Sequence, residues 1–234
     1  MGTLFLVRHG QASAFEDNYD RLSSLGERQA RLLGESWARR GLKLDRVFTG
    51  PRERQRRTAE LAAEAGHLPP PVELAELDEM GVEPIFKEHM PELFSRHAHL
   101  QALGDAMVMA DGDEARAQSI ARLFEAALRL WVRGEVKAAG VEQWLEFRAR
   151  VRKVLAAVRA EARGQKIAVF TSAGPVAAAV QLALGSDDDT ALSLAFRVRN
   201  TSVSEFLFSG TDRFSLASFN ETPHLLDASL VTVR

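Results

Sequence analysis

The stretch "TLFLVRHGQAS", residues 3–13, decides the fold prediction. Its apolar run at residues 4–7 indicates a buried strand, because parallel strands that are covered on both faces have continuous rather than alternating apolar residues. The polar pair Arg8 and His9 follows directly, and Gly10 comes next. Since open α/β sheets bind ligands at the carboxyl ends of their strands, the sequence predicts a ligand site just after this strand.

Strands and helices alternate on the carboxyl side of this stretch. Ser24-Leu25-Gly26-Glu27 has the spacing of a capping box and predicts a helix that Gly41 stops. Further strands are predicted at residues 47–49, 166–171, 203–208 and 214–219, and further helices after Gly50-Pro51 and over residues 175–184. This alternation predicts a three-layer α/β fold with helices on both faces of a mostly parallel central sheet.

The middle of the chain has a different pattern. The segments "EARAQSIARLFEAALRLWV" and "VEQWLEFRARVRKVLAAVRAE" carry apolar residues at helical spacing and predict amphipathic helices. The segment "FKEHMPELFSRHAHLQALGDAMVMADGD" predicts an irregular cap. We therefore expect a single domain over residues 1–234 with a helical cap insertion at about 82–140. A cap over the strand ends would select the substrate.

Composition limits the classes of partner and the compartment. The 234 residues carry a formal net charge of −2, which gives no general attraction for nucleic acid. No apolar run approaches the roughly 18–20 residues of a membrane span, so neither nucleic acid nor a membrane is expected as a partner. The chain has no cysteine, which excludes disulfides, a thiol nucleophile and thiolate metal sites, so we expect a cytoplasmic protein.

The residues after the first strand suit phosphate chemistry. A guanidinium such as that of Arg8 holds phosphate oxygens in a bidentate fork, and the adjacent imidazole of His9 can attack phosphorus through a neutral nitrogen. Gly10 lets the backbone approach a ligand closely, and its N–H can join an anion-binding nest. The alternative is that Arg8 pairs with a carboxylate and His9 caps the strand.

The order of motifs resembles the histidine phosphatase superfamily, the phosphoglycerate-mutase-like proteins, over residues 3–80 and 141–226. The matching motifs are Arg8-His9-Gly10 and Leu22-Ser23-Ser24-Leu25-Gly26 with Gln29. The resemblance implies the three-layer fold, His9 as the nucleophile, and phosphate contacts from Arg8, Gly10 and Gln11. It implies no cofactor and no metal.

A second family motif, Ser-Pro-Leu-x-Arg-Ala-x-Gln-Thr-Ala, reads "GPRERQRRTA" at residues 50–59 of this chain. Pro51, Arg54, Thr58 and Ala59 match, and Gly50, Arg52, Gln55 and Arg57 depart from it. By this register Arg54 is the second phosphate-binding arginine, and its place at a helix N-terminus favours an anion. The alternative for Arg52, Arg56 and Arg57 is a solvated basic face, or one that binds nucleic acid.

The family's general acid follows the third strand, and the spacing to Gly81 favours Glu79. A carboxyl group between two arginines and a phosphate can hold a proton near neutral pH, because the phosphate disfavours a second negative charge. The same segment also offers Glu76, Asp78 and Glu83, any of which can be a surface carboxylate.

The last family motif, Ser-His-Gly-Gly, reads "TSAGP" here, which puts Ser172 at the position of the second catalytic histidine. A branch of the superfamily has a Thr-Ser-Gly-Gly type of sequence at this place. The hydroxyl of Ser172 and the N–H groups of Ala173 and Gly174 can donate hydrogen bonds, but none supplies a positive charge. His224 is expected to pack or to cap, and the histidines at 89, 97 and 99 are weak evidence for a metal site.

The resemblance implies a metal-independent phosphomonoester hydrolase that works through a phosphohistidine on His9, with activity reduced if Ser172 replaces the histidine poorly. Its partner would be a small phosphorylated substrate, a phosphoprotein also being compatible, in a monomer or a homodimer. One alternative is a phosphate-ligand-binding or regulatory protein with little or no turnover. Another is a phosphoglycerate-type mutase, whose pattern Arg-His-Gly-Glu-Ser-x-Trp-Asn is broken at Gln11, Ala12, Ala14 and Phe15.

Overall fold

The computed structural model describes residues 1–13, 20–210 and 213–233. Its strands are β1 (Gly2–Arg8), β2 (Arg46–Thr49), β3 (Pro71–Glu73), β4 (Lys166–Thr171), β5 (Val203–Ser209) and β6 (Arg213–Glu221). Its α-helices are α1 (Ser24–Arg39), α2 (Glu53–Gly66), α3 (Met90–Arg96), α4 (Ala98–Met109), α5 (Asp113–Val132), α6 (Trp144–Glu161), α7 (Ala173–Leu184) and α8 (Asp188–Ala195). Ala14 and Phe15, two of the departures from the mutase pattern, lie outside the described residues.

The six described strands form one sheet in the order β3-β2-β4-β1-β5-β6. Three neighbouring pairs are parallel: β3 with β2, β2 with β4, and β4 with β1. Strand β5 is antiparallel to both β1 and β6. The predicted α/β fold with a mostly parallel central sheet is therefore confirmed. Because β1, β4 and β2 share one direction, their carboxyl ends lie at the same edge, with Arg8 opposite Thr171 and Thr49 opposite Phe170.

Helices α1 and α2 pack against each other and cover one face of the sheet. The core that they close is formed by apolar side chains of both helices and three strands: Val7, Leu33, Trp37, Val47, Ala59, Ala62, Ala168 and Phe170. The N-cap of α1 is Ser23, one residue before the predicted N-cap Ser24, and its Oγ accepts from the N–H of Gly26 at 3.0 Å. Ser23 is itself fixed by Gln11, which binds both its N–H and its hydroxyl.

The opposite face of the sheet is also covered. Leu4 and Leu6 of β1 point away from Val7, since strand residues alternate between faces, and both are fully or almost fully buried. Helix α7 contacts β1 and β6, and its apolar residues Val176, Ala177 and Val180 are buried. The central layer therefore has helices on both faces, as predicted.

The described chain divides into two compact units. One comprises Met1–Glu79 with Ala149–Arg234, and the other is Met80–Arg148, which includes the predicted insertion at about 82–140. Most of the segment predicted to be irregular is helical in the second unit, where Leu93 and Leu100 are buried and the rings of Phe86 and Phe124 stack at 4.3 Å.

Helix α8 was not predicted from the sequence. Its N-cap is Asp187, whose carboxylate accepts from the N–H of Thr190 at 2.7 Å, and its buried residues include Ala191 and Leu192. Within the described ranges, no helix combines the length and apolar character needed to cross a bilayer.

Candidate active site

His9 follows β1 directly, and its side chain is buried, with 5% of the residue exposed. Its Nδ1 lies 2.7 Å from the carbonyl oxygen of Gly10, and its Nε2 lies 3.2 Å from Nε of Arg54. A carbonyl oxygen only accepts and an arginine Nε–H only donates, so Nδ1 carries the imidazole proton and Nε2 carries the lone pair. The nitrogen that can act as a nucleophile is therefore Nε2.

The surroundings of His9 keep its imidazole neutral. Burial is the main cause that lowers the pKa of His9 well below the ordinary value of 6.5. The positive charges of Arg8 and Arg54 lower the pKa further, and the hydrogen bond to Gly10 acts in the opposite direction. A neutral ring with a free lone pair is the form that attacks phosphorus.

The backbone of His9 is fixed by two other elements. Its N–H donates to the carbonyl oxygen of Thr171 at the end of β4, at 2.9 Å, and its own carbonyl oxygen accepts from Nδ2 of Asn200 at 3.1 Å. The N–H of Thr201 reaches the carbonyl oxygens of Arg8 and His9, at 3.0 and 3.3 Å. Thr201 has a φ of 53°, an uncommon value for a β-branched residue, and with it the N–H reaches these carbonyls.

Gly10 and Gln11, for which phosphate contacts are predicted, also make contacts within the protein. The N–H of Gly10 donates to Oγ1 of Thr58 at 2.9 Å, and a Cβ at Gly10 would lie 2.5 Å from the carbonyl oxygen of Gly26. The glycine therefore allows a close approach to the start of α1. The N–H of Gln11 donates to Oε1 of Gln29 at 2.9 Å.

Arg54 is placed beside His9 by the first turn of α2, and only 5% of it is exposed. Its Nη1 lies 2.7 Å from Oδ1 of Asp20, and Oδ2 of Asp20 accepts from the N–H of Glu53 at 2.9 Å. Asp20 thus fixes the guanidinium and the start of the helix together, where a carboxylate is favourable. A phosphoryl oxygen that arrives at Nε2 of His9 lies within reach of the same guanidinium.

Arg8 lies beside His9 with one edge of its guanidinium held by the main chain. Its Nη1 donates to the carbonyl oxygens of Val198 and Val233, the second at 2.6 Å. Its charge contributes to the low pKa of His9.

The other arginines of the basic cluster each pair with a carboxylate. The pairs are Arg52 with Asp78 at 2.5 Å, Arg56 with Glu73 at 3.3 Å and Arg57 with Glu27 at 3.1 Å. The hydrogen bond to Glu27 is the main cause that raises the pKa of Arg57. Arg54 is the member of the cluster whose contact with His9 the structure describes.

Of the four candidate carboxylates, Glu79 is the one whose contacts reach the start of α7. Its Oε1 and Oε2 accept from the N–H of Gly174 at 3.1 and 3.4 Å. Asp78 instead accepts from the N–H of Glu79 at 2.7 Å and pairs with Arg52, so it holds Glu79 in place. Glu76 and Glu83 are exposed. The N–H of Gly174, which the sequence offered to a ligand, is occupied by Glu79.

Ser172 is the N-cap of α7 and is fully buried. Its Oγ accepts from Nε2 of Gln55 at 2.8 Å. Ala173, the next residue, opens the helix, where the first N–H groups have no partner within the helix. Ser172 is therefore joined to α2 through a side chain that lies 117 positions earlier in the chain.

Sequence reasoning missed Asp20, Gln55, Asn200 and Thr201. Asp20 and Asn200 carry no local pattern, because the groups that they bind are distant in the chain. Gln55 did carry a signal, since it departs from the family motif in the same chain in which Ser172 departs from another. The structure links the two departures through the hydrogen bond from Gln55 to Ser172.

Other contacts are described for three of the remaining histidines. His224 is buried, and its Nε2 lies 3.0 Å from Oγ1 of Thr201, so it packs behind the site. The rings of His97 and His99 meet edge to face at 5.9 Å. Across residues 1–13, 20–210 and 213–233, no group of three or more histidine, aspartate or glutamate side chains is arranged to hold a metal ion.

Comparison with known proteins gives a family and a fold. The family description that matches is "Histidine phosphatase superfamily (branch 1)", over residues 4–130 and 107–222. A comparison with curated proteins gave no significant match.

Similar solved structures include phosphoserine phosphatase from Entamoeba histolytica in complex with 3-phosphoglyceric acid, with a TM-score of 0.62, 17% identity, and coverage of 97% of this chain and 100% of that one. The alpha-ribazole phosphatase from Shigella flexneri has a TM-score of 0.63 and 19% identity, with coverage of 94% of this chain and 96% of that one. Phosphoglycerate mutase from Bacillus anthracis has a TM-score of 0.62 and 18% identity, with coverage of 95% of this chain and 94% of that one. The TM-scores show that the fold is phosphoglycerate-mutase-like.

Proposed function

The chain belongs to the histidine phosphatase superfamily, and from the geometry around His9 we propose that it hydrolyses phosphomonoesters through a phosphohistidine intermediate. The observation that carries this proposal is the pair of hydrogen bonds on the imidazole. Gly10 accepts the Nδ1 proton, and the lone pair on Nε2 faces the guanidinium of Arg54. A nucleophile and an anion-binding cation are therefore adjacent.

In the first step, Nε2 of His9 attacks the phosphorus of the substrate, and the bond from phosphorus to the ester oxygen breaks. The hydrogen bond from Nε of Arg54 must pass from the imidazole to a phosphoryl oxygen before the lone pair can react. Arg8 and Arg54 then neutralise the phosphoryl charge, which builds up in a buried site where such charges interact strongly. The Gly10 carbonyl stabilises the imidazole proton as the ring becomes positive.

Glu79 is the proposed general acid and base. In its protonated form it gives a proton to the leaving ester oxygen. In the second step its carboxylate takes a proton from water, the water oxygen attacks the phosphohistidine, and inorganic phosphate leaves with His9 restored. Its contact with Gly174 and the support from Asp78 favour Glu79 over the exposed Glu76 and Glu83 for this role.

Named neighbours of similar fold include phosphatases that carry small phosphorylated compounds in their names. We infer a small phosphorylated substrate for this chain as well. The second candidate is a phosphate-binding regulatory protein with little turnover, and the neutral Ser172 at the place of the family's second histidine favours it.

A panel of phosphomonoesters, assayed with and without a chelator, tests the proposal. We expect turnover of at least some esters, unchanged by chelator and abolished in His9→Ala. Binding of inorganic phosphate without turnover would support the regulatory protein. Turnover that is lost with chelator would contradict the metal-independent mechanism.

A further inference from the structure

The contact between α2 and α7 joins two buried polar side chains, Gln55 and Ser172. Oε1 of Gln55 accepts from the N–H of Arg52 at 3.0 Å, and Nε2 of Gln55 donates to Oγ of Ser172 at 2.8 Å. A backbone N–H only donates, so the amide oxygen must face Arg52 and the amide nitrogen must face Ser172. The orientation of the Gln55 amide is therefore fixed by its partners.

This orientation determines where the proton of Ser172 can go. Because Oγ accepts from Gln55, the hydroxyl proton must point away from Gln55. Among the contacts of the described residues, Gln55 is the partner of this hydroxyl, and no acceptor receives its proton. A fully buried hydroxyl donor without an acceptor is costly unless a ligand supplies one.

The chain neighbours of Ser172 contact two residues of the proposed phosphoryl site. The preceding residue, Thr171, accepts from the N–H of His9 at 2.9 Å. Two residues after Ser172, the N–H of Gly174 donates to Glu79. Along the chain, Ser172 thus lies between a residue that contacts the proposed nucleophile and a residue that contacts the proposed general acid.

We propose that Gln55 is a positioning residue of the phosphoryl site, and that it turns the hydroxyl proton of Ser172 toward a non-bridging oxygen of the substrate phosphoryl group. This inference rests on the proposed function and deepens it. No covalent bond changes in this step. The pair supplies a neutral hydrogen-bond donor in the place where the family pattern has a cationic histidine.

Gly50 is the third member of this arrangement. A Cβ at Gly50 would lie 2.2 Å from Oε1 of Gln55, so a larger residue there would displace the amide. The family motif has serine at the position of Gly50 and alanine at that of Gln55. The departures at positions 50 and 172 therefore both adjoin the departure at Gln55.

Gln55→Leu, Ser172→Ala and the double variant test the inference. Gln181→Leu is the matched control, because Gln181 is also a buried glutamine, and its amide bonds to Ser186 and Asp188 away from the site. The measurements are kcat and KM for nitrophenyl phosphate, together with Tm. We expect each single variant to lower kcat by about 10²- to 10³-fold, by analogy with the loss of one preorganised donor.

We expect the double variant to be no slower than Ser172→Ala alone, because Gln55 acts through Ser172. Gln181→Leu should lower Tm and leave kcat unchanged. The inference would be overturned if the fold-losses in kcat of the two single variants multiply in the double variant. It would also be overturned if Gln55→Leu lowers Tm and leaves kcat unchanged, in which case Gln55 is only a helix cap.

A wild-type protein that turns over no phosphomonoester would refute the proposed function separately. Calorimetric binding of inorganic phosphate to the same proteins then tests the pair by itself. Weaker binding in both single variants, without further loss in the double variant, supports the inference. Equal affinity in all of them contradicts it.

Discussion

Around His9, hydrogen-bond partners determine what each side chain can do. The carbonyl oxygen of Gly10 accepts a hydrogen bond from Nδ1–H of the imidazole. Burial and two guanidinium groups keep the ring neutral, and Asp20 holds Arg54 so that its Nε reaches the imidazole. Arg54 therefore has two tasks in the proposed mechanism. It lowers the pKa of the nucleophile, and it donates hydrogen bonds to the oxygens of the phosphoryl group that the nucleophile attacks.

Arg54→Ala should lower kcat/KM by about 10²- to 10³-fold, because a buried donor to the phosphoryl group is lost. The acidic limb of the pH profile should also move to higher pH, because the Arg54 charge no longer lowers the pKa of His9. Arg57→Ala is the control, since Arg57 pairs with Glu27 at the surface, and its loss should change kcat/KM by less than about threefold. A larger effect at Arg57 than at Arg54 would show that the phosphate site is assigned to the wrong arginine.

Glu79→Gln should lower kcat by about 10²-fold or more for alkyl phosphates, whose leaving oxygen needs a proton. The loss should be smaller for nitrophenyl phosphate, whose leaving group is weakly basic. Glu76→Gln removes an exposed carboxylate three positions away and should leave both rates unchanged. Equal losses with both kinds of substrate in Glu79→Gln would argue against a role in proton transfer.

At the scale of elements, the site is formed by the carboxyl ends of parallel strands and the amino ends of helices. β1 leads into His9, β4 leads into Ser172, and β2 leads into the first turn of α2 with Arg54. Carboxylates occupy both helix starts, Asp20 at α2 and Glu79 at α7. These helix ends have N–H groups that favour negative charge, which is the condition for binding a phosphoryl group.

The contact between α2 and α7 predicts how the family's histidine can be restored. In Ser172→His alone, the imidazole would compete with the Gln55 amide, which lies 2.8 Å from Oγ. We expect lower kcat in that variant. In the Gln55→Ala background the space is open, and adding Ser172→His should raise kcat by about tenfold, because a cationic donor returns. If the double variant binds vanadate with the same affinity as Gln55→Ala but has no higher kcat, position 172 is not the place of the family's second histidine.

Five of the six described strands could be predicted because apolar runs end abruptly at polar residues, but β3 and the order of the strands in the sheet could not. His9 and Glu79 could be proposed from their positions in the family motifs. Asp20 and Gln55 could not, because their partners Arg54 and Ser172 are distant in the chain and the contacts depend on packing of α2 against the sheet edge. The close approach of Gly10 to Gly26 could not be predicted either, because it depends on how α1 packs.

At the scale of the whole molecule, a buried polar network ties the site to the stability of the fold. Asn200 binds the carbonyl oxygen of His9, and its N–H donates to Thr232 at 2.8 Å. Gln29 donates to the carbonyl oxygen of Leu230 at 2.7 Å and supports Gln11 with its amide oxygen. The segment near residues 230–233 is thus part of the support of the site.

His224 makes this stability dependent on pH. Thr201 donates its hydroxyl proton to Asn200, so Nε2 of His224 must donate to Thr201, and Nδ1 has no hydrogen-bond partner among the described residues. Burial lowers the pKa of His224 from 6.5 to about 4. The unfolded chain therefore binds a proton first as pH falls, and stability that is fully present above pH 6.5 is lost toward pH 4.

The free energy of unfolding should fall by up to about 1.4 kcal/mol per pH unit in this window on account of His224. His224→Gln keeps an N–H donor for Thr201 but does not titrate, so its unfolding free energy should depend less on pH. His9 also has a lowered pKa and contributes to the slope of both proteins, which the comparison cancels. Denaturant melts between pH 4 and 7 measure the difference, and parallel curves for the two proteins would refute the role of His224.

The position of the phosphate on the trapped intermediate tests the proposed phosphohistidine most directly. The protein is mixed with a rapidly hydrolysed substrate, quenched in alkaline denaturant and examined by 31P and 15N NMR. We expect the phosphate on Nε2 of His9. The reason is that Gly10 holds the Nδ1 proton and leaves the lone pair on Nε2. Phosphate on Nδ1, on a serine such as Ser172, or on no residue during rapid turnover would contradict the account.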